Sequence, residues 1–480
     1  MSLKKQAVNS IKWTTISASI NSIIQIIQLF ILARLLGPED FGLMAIVMVV
    51  IGFSQIFIDM GISNAIIYKQ EIKNDQLSSL FWLNIFIGIL FLGLLMLLSP
   101  IISRFYENYK LILLINIVAI TFLVKPLGQQ FMVLLQKNLF FNSIAKTEII
   151  SRLISFSVVI GLAYKDYGVF SLAIGAVVFS VFSSIGYVFY GLKIHKPTLY
   201  LKISDIKEFV SFGLYQLGEK VLNYFSSQFD VILIGKLLGV EVLGIYNIAK
   251  DLVIKPSMVI NPIITRVTFP VMSKINTDIN KLKSIFLKII NYLTYINSVI
   301  YFLIASLAKP IVLILFGQDW IGAVPIIQIL SITYLLRSIS NPAGSLLLSR
   351  GKANIAFYWK LAIFFLYPFF VIIGSLGGVV GVALGMLILQ ILLFYPNWRF
   401  IVFKMIEVEF GDYFTKIITP IAISMISVLI SSFIFYSLEN IYIKIIAVPL
   451  IFSVLFVSIV YKYQRIFILE LLNLLKSKFN

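Results

Sequence analysis

Nine ionisable side chains lie inside long apolar segments of this 480-residue chain. A charge at membrane depth is costly, so each is a candidate functional residue. The nine are Asp59, Lys125, Glu219, Lys220, Asp230, Lys250, Asp251, Lys255 and Arg337. Lys125 and Arg337 stand out because each lies near the middle of its segment with a proline shortly after it, which opens the local backbone. Together with Lys220 and Lys250 they predict a cavity site for an anionic substrate, and a guanidinium suits phosphate especially well.

Four carboxylates in this set are candidates for ion coupling: Glu219, Asp230, Asp251 and Asp59. Protonation or sodium binding at them would link transport to an ion gradient, and they would compete with an anionic substrate for the same cations. A structural alternative stays open. Asp251 and Lys255 have i, i+4 spacing and can pair with each other, Asp59 can cap a helix end, and the whole set can form ion pairs that only hold two lobes together.

Polar side chains recur on two of the apolar segments at spacings of 0, 3, 7, 11 and 14 residues, which place them on one face of a helix. The first stripe is Thr14, Ser17, Asn21, Gln25 and Gln28, and the second is Gln216, Glu219, Asn223, Ser227 and Asp230. Their hydroxyl and amide groups predict a cavity wall that hydrogen-bonds the hydroxyl groups of a substrate.

Spanning helices must position these residues, and the composition predicts many of them. Hydrophobic residues make up 60% of the chain and charged residues 12%, whereas about a quarter of an ordinary soluble chain is charged. A span takes roughly 20 residues. The apolar runs number fourteen, at about 13–33, 41–66, 78–100, 110–135, 143–163, 168–192, 209–235, 241–265, 284–307, 323–348, 354–374, 379–398, 415–437 and 441–461. We therefore expect an all-α polytopic membrane protein with about 14 transmembrane helices.

Residue types that many enzymes use are scarce here. The chain has no Cys and one His, which excludes a disulfide framework and a thiolate zinc site. We therefore predict no metal site and no cofactor apart from a coupling H⁺ or Na⁺. His195 lies in a short cytoplasmic loop and is interpreted as a solvated or headgroup-facing residue. No connection is long enough for a catalytic domain outside the membrane, so the chain is not predicted to be an enzyme.

The net charge of +18 is explained by membrane topology. If the N and C termini are both cytoplasmic, most Lys and Arg residues fall in cytoplasmic loops and ends, as the positive-inside rule requires. The excess of positive charge therefore needs no nucleic-acid partner, and we expect none.

An internal repeat divides the chain. Residues 34–44, RLLGPEDFGLM, align without gaps on residues 236–246, KLLGVEVLGIY, at an offset of 202 that also relates the two polar stripes. Pro126 and Gly128 correspond to Pro342 and Gly344. Two six-helix lobes in the same orientation follow, related by a pseudo-two-fold axis along the membrane normal. We predict an N-lobe at 1–195, a C-lobe at 196–404, and a C-terminal helix pair with a cytoplasmic tail at 405–480.

Two further patterns concern helix packing and sugar binding. Gly377, Gly381 and Gly385 have four-residue spacing in an apolar segment, which predicts the close approach of a neighbouring helix rather than a phosphate-binding loop. Tyr215 and Tyr224 would stack on sugar rings if they face the cavity, and the sequence leaves their direction open.

The N-terminal helix runs into LARLLGPEDFGLMAI and is followed by FIDMGISNAII at 57–67. In these motifs the chain resembles the Wzx-type polysaccharide flippases of the multidrug/oligosaccharidyl-lipid/polysaccharide exporter superfamily. The resemblance implies an inner-membrane protein that moves undecaprenyl-diphosphate-linked oligosaccharide repeat units from the cytoplasmic to the outer leaflet. It also implies contact with membrane lipids, a polysaccharide polymerase and other assembly proteins.

Two other functions stay open at this point. A cation-coupled multidrug antiporter of the same superfamily typically has twelve spans, so the additional pair at 415–461 argues against it. A membrane-embedded glycan polymerase would be an enzyme with a large exterior loop, which this sequence lacks. The site where lipid-linked repeat units accumulate in a deletion strain distinguishes the three functions.

Overall fold

The computed structural model describes residues 3–59, 62–69, 71–435, 437–438 and 440–463. Regular structure within these ranges is helical throughout, which confirms the predicted all-α membrane class. The chain forms two compact units, Met1–Gly244 (unit 1) and Ile245–Asn480 (unit 2). The predicted lobe boundaries at 195 and 404 stay predictions.

Unit 1 begins with a long helix and contains three helices that are shorter than a membrane span. Its helices are α1 Leu3–Leu35, α2 Pro38–Asp59, α3 Ile62–Tyr68, α4 Asn74–Tyr106, α5 Lys110–Ala119, α6 Thr121–Lys137, α7 Phe141–Ala163, α8 Val169–Gly191 and α9 Lys207–Leu237. Within the unit, α7 packs between α1 and α8, α6 packs against α4 and α8, and α9 packs against α2 and α3.

Unit 2 begins five residues into a helix that starts at the end of unit 1. The remaining helices are α10 Val240–Lys274, α11 Ile279–Ser306, α12 Ala308–Leu315, α13 Ala323–Ile339, α14 Pro342–Ser349, α15 Ala353–Ser375, α16 Gly378–Asn397, α17 Lys404–Ile406, α18 Phe410–Ile434 and α19 Ile441–Tyr463, with a π-helical turn at Trp398–Phe403. Here α11 packs against α13 and α18, and α15 packs against α16.

All fourteen predicted segments coincide with these helices. Eleven stretches of the described residues are long and apolar enough to cross a membrane. The remaining three segments correspond to α7, α9 and α10, each of which carries several charged residues. The number of spans and the cytoplasmic termini stay predictions.

Two predicted segments are each divided between two helices: 110–135 between α5 and α6, and 323–348 between α13 and α14. The last division has a clear local cause. Pro342 is the first residue of α14, and because a proline has no N–H it interrupts the ladder of hydrogen bonds from α13.

Glycines let helices approach closely in both units. A Cβ added at Gly128 of α6 would lie 2.6 Å from Ser184 Cα of α8. A Cβ at Gly381 or at Gly385 of α16 would overlap a backbone carbonyl of α15, which confirms the predicted close packing at these two positions. Gly377 immediately precedes α16.

The repeated turn forms a reciprocal contact inside unit 1. A Cβ added at Gly42 would overlap the carbonyl group of Val240, and one added at Gly244 would overlap the carbonyl group of Pro38. Both members of the second contact lie 202 residues from their counterparts in the first. Such exchange of equivalent contacts is typical of two copies of one motif around a two-fold axis.

Two acidic residues of this turn bind other helices of unit 1. The Asp40 carboxylate accepts a hydrogen bond of 3.2 Å from the N–H of Val169, the first residue of α8. Glu39 forms an ion pair of 3.0 Å with Lys110 at the start of α5. The acidic residues of the LLGPEDFG motif therefore join three helices at one end of the unit.

His195 is buried, with 4% of its surface exposed, so its interpretation as a solvated residue is wrong. The segment that follows α8 folds back onto α4, where Trp82 Nε1 donates a hydrogen bond of 2.8 Å to the carbonyl of Thr198, and the backbone N–H of Lys202 donates one to the Ser79 hydroxyl. Burial lowers the pKa of His195 below its ordinary value.

Candidate functional site in unit 1

Two adjoining cavities open among the helices of unit 1, with volumes of about 370 and 270 Å³. Binding sites for small molecules span roughly 300–1,000 Å³. Both cavities are lined by Lys125, Arg152 and Phe179, so these three side chains stand where the cavities meet. The first also reaches Asn21, Gln25, Gln129, Met132, Glu148, Ser183, Ser184 and Tyr187.

Lys125 lies on α6 immediately before Pro126. Since Pro126 cannot donate to the carbonyl of Phe122, that carbonyl is free of its usual helical bond, and Gly88 of α4 packs directly against it. This close packing fixes the turn that carries the lysine. No hydrogen bond or ion pair is found for Lys125 among the described residues, so its ammonium group is available to a ligand.

Arg152 extends from α7 into both cavities. Its guanidinium lies 4.1 Å from the centre of the Phe179 ring on α8, a cation–π contact that orients the group without neutralising it. Its Nε is buried and has no hydrogen-bond partner among the described residues. A buried donor without a partner is costly in a protein interior, and it indicates a place for a ligand or water.

Glu148 lies one turn before Arg152 on α7, yet no ion pair joins the two in the part of the chain that the structure describes. Glu148 Oε2 instead accepts a hydrogen bond of 2.7 Å from the Ser17 hydroxyl of α1. Asn21 Nδ2 in turn donates to the Ser17 oxygen at 3.1 Å. Glu148 therefore bonds to the polar stripe of α1 rather than to the neighbouring cation.

The first polar stripe faces this site along most of its length. Asn21 and Gln25 line the first cavity and Gln28 lines the second. The side-chain carbonyl oxygens of Asn21 and Gln28 are buried without a partner among the described residues. Thr14 is exposed and donates to the carbonyl of Ser10 in its own helix.

The described residues of the second stripe, Asn223, Ser227 and Asp230 on α9, line neither of these cavities. Asn223 is exposed, the Ser227 hydroxyl donates to a carbonyl of its own helix, and Asp230 is fully buried with its carboxylate accepting from the N–H of Val231. Lys220 is half-buried. The Tyr224 hydroxyl donates to the carbonyl of Val49 on α2 at 2.7 Å, so this ring packs between helices.

Four predicted residues lie outside the described side chains: Asp59, Tyr215, Gln216 and Glu219. Their assignments to ion coupling, to sugar stacking and to the polar stripe stay predictions.

The other predicted charges belong to unit 2. Lys250 of α10 is buried, whereas Asp251 next to it is exposed. No ion pair between Asp251 and Lys255 occurs among the described residues, so the proposed i, i+4 pair does not form in this structure. Arg337 of α13 is exposed, with its guanidinium 5.7 Å from the Tyr334 ring centre. Their roles in substrate binding and coupling also stay predictions.

Sequence reasoning missed Arg152, Glu148 and Gln129. The available signal was the Glu148–Arg152 spacing of four residues in the fifth apolar segment, a charged pair at membrane depth. Taken together, the two cations and the ring of amides and hydroxyls can bind a phosphate-like anion attached to a group rich in hydroxyls.

Known proteins are similar to this chain in sequence and in fold. A family described as "Polysaccharide biosynthesis protein" matches residues 31–325. The teichuronic acid biosynthesis protein TuaB of Bacillus subtilis (strain 168) is 34% identical over 88% of this chain and 88% of its own length. The lipopolysaccharide biosynthesis protein WzxC of Escherichia coli (strain K12) is 31% identical over 90% of this chain and 88% of its own length.

Among solved structures, the lipid II flippase MurJ in an inward closed conformation superposes with a TM-score of 0.74, covering 94% of this chain and 99% of its own at 15% identity. An inward-facing multidrug transporter of the MATE family, in the MOP superfamily, gives a TM-score of 0.58 over 81% of this chain and 97% of its own, also at 15% identity. At this identity the likeness is one of fold.

Proposed function

The chain belongs to the polysaccharide biosynthesis protein family, and from this premise we propose that it translocates undecaprenyl-diphosphate-linked oligosaccharide repeat units across the cytoplasmic membrane. Translocation proceeds by alternating access and supplies surface polysaccharide biosynthesis. The chain makes and breaks no covalent bond and is therefore not an enzyme. Its expected partners are membrane lipids, a polysaccharide polymerase and other assembly proteins.

The observation that carries this proposal is the pair of cations in unit 1. A diphosphate cannot cross hydrocarbon unaided, because removing an unpaired anion from water costs many kcal/mol. Lys125 and Arg152 line the same two cavities and no carboxylate pairs with either one among the described residues. They offer the two positive charges that a diphosphate requires, and the guanidinium can bind two phosphate oxygens at once.

The surrounding side chains suit the attached sugars. Asn21, Gln25 and Gln129 provide amide donors and acceptors around the first cavity, and Ser183 and Tyr187 add hydroxyl groups. The unpartnered oxygen of Asn21 is already buried, so a sugar hydroxyl that reaches it gains a hydrogen bond without first displacing a protein partner.

The two cavities differ in their lining residues and in their depth along the membrane normal. The first, with Glu148 and Gln129, lies toward the ends of α6 and α7 that are predicted to be cytoplasmic. The second includes Met44, Val118 and Val159 and lies toward the predicted exterior. A polar head that enters from the cytoplasm therefore meets hydrogen-bonding groups first and the two cations at the junction.

Release of the substrate requires that the two cations bind the diphosphate less tightly. Glu148 is near enough to Arg152 to compete for it, and a side-chain rotation would exchange its bond with Ser17 for one with the guanidinium. We include it with Asp59, Glu219, Asp230 and Asp251 as a candidate for coupling to H⁺ or Na⁺. Competition of this kind lowers the affinity for the diphosphate, so the substrate can dissociate once the cavity is open to the exterior.

A multidrug antiporter fits this cavity less well. A cationic drug entering between Lys125 and Arg152 would meet two like charges, which disfavour it by Coulomb repulsion. A membrane-embedded glycan polymerase stays a third possibility that the same experiment separates.

The test uses a strain that lacks this gene and is complemented with the wild-type chain, Lys125→Gln, Arg152→Gln or the double variant. For these three variants we expect normal membrane abundance, loss of surface polysaccharide, and lipid-linked repeat units trapped in the inner leaflet. The wild-type chain should restore export. Lys146→Gln is the matched control, because Lys146 is an exposed cation on the same helix as Arg152 and lines neither cavity.

Wild-type export by the double variant at normal abundance would refute the cationic site. Repeat units trapped in the outer leaflet of the deletion strain would indicate a polymerase, and unchanged repeat units with altered drug sensitivity would indicate an antiporter.

A further inference from the structure

The connection between α8 and α9, residues 192–206, forms a strap with apolar and basic side chains on its outer side. Leu199 and Leu201 have 93% and 58% of their surfaces exposed. Lys193 and Lys196 are exposed as well. None of these four residues lines the cavities of unit 1, so the strap has no part in the proposed passage of the substrate.

The inner side of the strap is fixed to the helices of unit 1. His195 is buried, and Ile194 packs against a buried cluster that includes Phe131 of α6. The backbone N–H of Thr198 donates a hydrogen bond of 3.1 Å to the Ser78 hydroxyl of α4. Because these contacts hold one side of the strap against the protein, its exposed leucines and lysines are presented to the surroundings on the other side.

Helix α4 places the strap at the boundary of the membrane. With 33 residues, α4 is about 50 Å long, whereas the hydrocarbon core is about 30 Å thick. Its first turns therefore lie among the headgroups, where tryptophan is enriched. There Trp82 binds the carbonyl of Thr198, and Gln76 binds the carbonyl of Asp205. Leu199 lies between these two contacts, which puts it at headgroup level.

The charge of the strap is complementary to one leaflet of the membrane. Residues 192–206 contain three lysines and one aspartate, and the next two residues, Lys207 and Glu208, add no net charge. The aspartate, Asp205, lies 3.6 Å from the ammonium group of Lys202 and neutralises part of its charge. The predicted topology puts the strap on the cytoplasmic side, where anionic lipids attract lysines close to the membrane.

We propose that the strap binds anionic phospholipid of the inner leaflet. Leu199 and Leu201 enter the boundary between headgroups and acyl chains, and Lys193 and Lys196 contact the lipid phosphates. The hydrogen bonds to α4 hold the strap in place before a lipid arrives, so little conformational entropy is lost on binding. Charged lipid and exposed leucine thus act together at one short segment.

The test uses the absence of native cysteine, which lets Leu199→Cys carry a single bimane fluorophore. The labelled full-length protein is reconstituted with a nitroxide quencher lipid into vesicles of phosphatidylcholine, with or without phosphatidylglycerol. We expect stronger quenching with phosphatidylglycerol. There, adding Lys193→Gln and Lys196→Gln should lower the ratio of inserted to water-exposed label about 30-fold. The control pair Lys146→Gln and Lys165→Gln removes two exposed lysines outside the strap and should leave the ratio unchanged.

Three outcomes would overturn the proposal. Equal quenching in the two kinds of vesicle would show that anionic lipid is not recognised. An equal loss in the two pairs of lysine variants would show that the effect comes from net charge and not from the strap. A label at position 199 that stays in water in both vesicles but is shielded in native membranes would indicate a protein partner in place of lipid.

Discussion

Unit 1 and unit 2 carry corresponding prolines and glycines, but they place their charges differently. Pro126 and Gly128 correspond to Pro342 and Gly344, yet the residue before the proline is Lys125 in unit 1 and Asn341 in unit 2. Lys125 lines a polar cavity, whereas Arg337, one of the two substrate cations predicted in unit 2, is exposed on the turn before the proline. The repeat therefore preserves the proline and the glycine, but Pro126 lies inside α6 whereas Pro342 begins α14, and the residues beside them differ.

Both units bury polar side chains, and two sets of them have different surroundings. In unit 1 the carbonyl oxygens of Asn21 and Gln28 and the Nε of Arg152 are buried beside a cavity without partners among the described residues. In unit 2 the Ser298 hydroxyl of α11 bonds to Ser424 of α18 at 2.8 Å. The groups of the first set border the cavities of the proposed site, and the Ser298–Ser424 bond joins two helices.

The largest expected effect tests which unit holds the substrate cations. Arg152→Ala should lower export per molecule by about 10- to 100-fold, because hydrogen bonds to a charged group contribute roughly 1.5–3 kcal/mol, and Arg152→Lys should restore part of it. Arg337→Ala should lower export by much less. Repeat-unit export is measured together with membrane abundance. An equal loss of export in the two alanine variants would contradict this difference between the units. It would indicate that Arg337 also contacts the substrate.

A smaller effect is expected for the paired glycines. Gly128→Ala should destabilise unit 1 by about 1–3 kcal/mol, because the added methyl group overpacks the contact with Ser184. Gly344→Ala should be tolerated, since no atom lies within 4 Å of its added Cβ. Thermal unfolding of the purified variants measures both. Equal destabilisation would show that the helix is packed as tightly at Gly344 as at Gly128.

A loss of about 1 kcal/mol is expected for Asp40→Ala, which removes the side chain that caps α8. Asp40→Asn keeps an acceptor oxygen and should retain most of the stability. Abundance should fall in the alanine variant while export per molecule stays near wild type, because Asp40 lies outside both cavities of the proposed site. A selective loss of export would assign the LLGPEDFG motif a direct role in transport.

The smallest effect concerns the exposed pair of Glu107 and Lys236. The hydrogen bond from Lys236 lowers the pKa of Glu107 below its ordinary value of 4.5. The pair therefore stabilises the fold at neutral pH, and this contribution is lost as pH falls through the lowered pKa. Glu107→Gln should melt slightly below wild type at pH 7, with the difference vanishing in acid. A difference that grows in acid would contradict this assignment.

Much of the architecture could be predicted from apolar runs, because a spanning helix of about 20 residues leaves a strong signal. Lys125, Asn21, Gln25 and Gln28 were identified because one charge interrupts an apolar segment and a polar stripe repeats at helical spacing. Arg152 was missed for a physical reason. Its segment also contains Glu148, and the sequence does not show that this acid bonds to Ser17 on another helix.

The second stripe shows the limit of the repeat as a guide. Periodicity defines a face of a helix but not the neighbour that the face meets. Ser227 of α9 directs its hydroxyl group to a carbonyl of α9 itself, while the matching residue of α1, Gln25, lines a cavity. Tertiary packing decided between these outcomes, and a single sequence carries little information about it.

The capping of α8 by Asp40 also sets a minimum time for folding during synthesis. Asp40 and Val169 are 129 residues apart. At roughly 5–20 residues per second, a ribosome takes about 6 to 26 seconds to add the intervening chain. During that interval α2 has already been made while its partner does not yet exist. The first lobe can close at this end only after most of its helices have been delivered to the membrane.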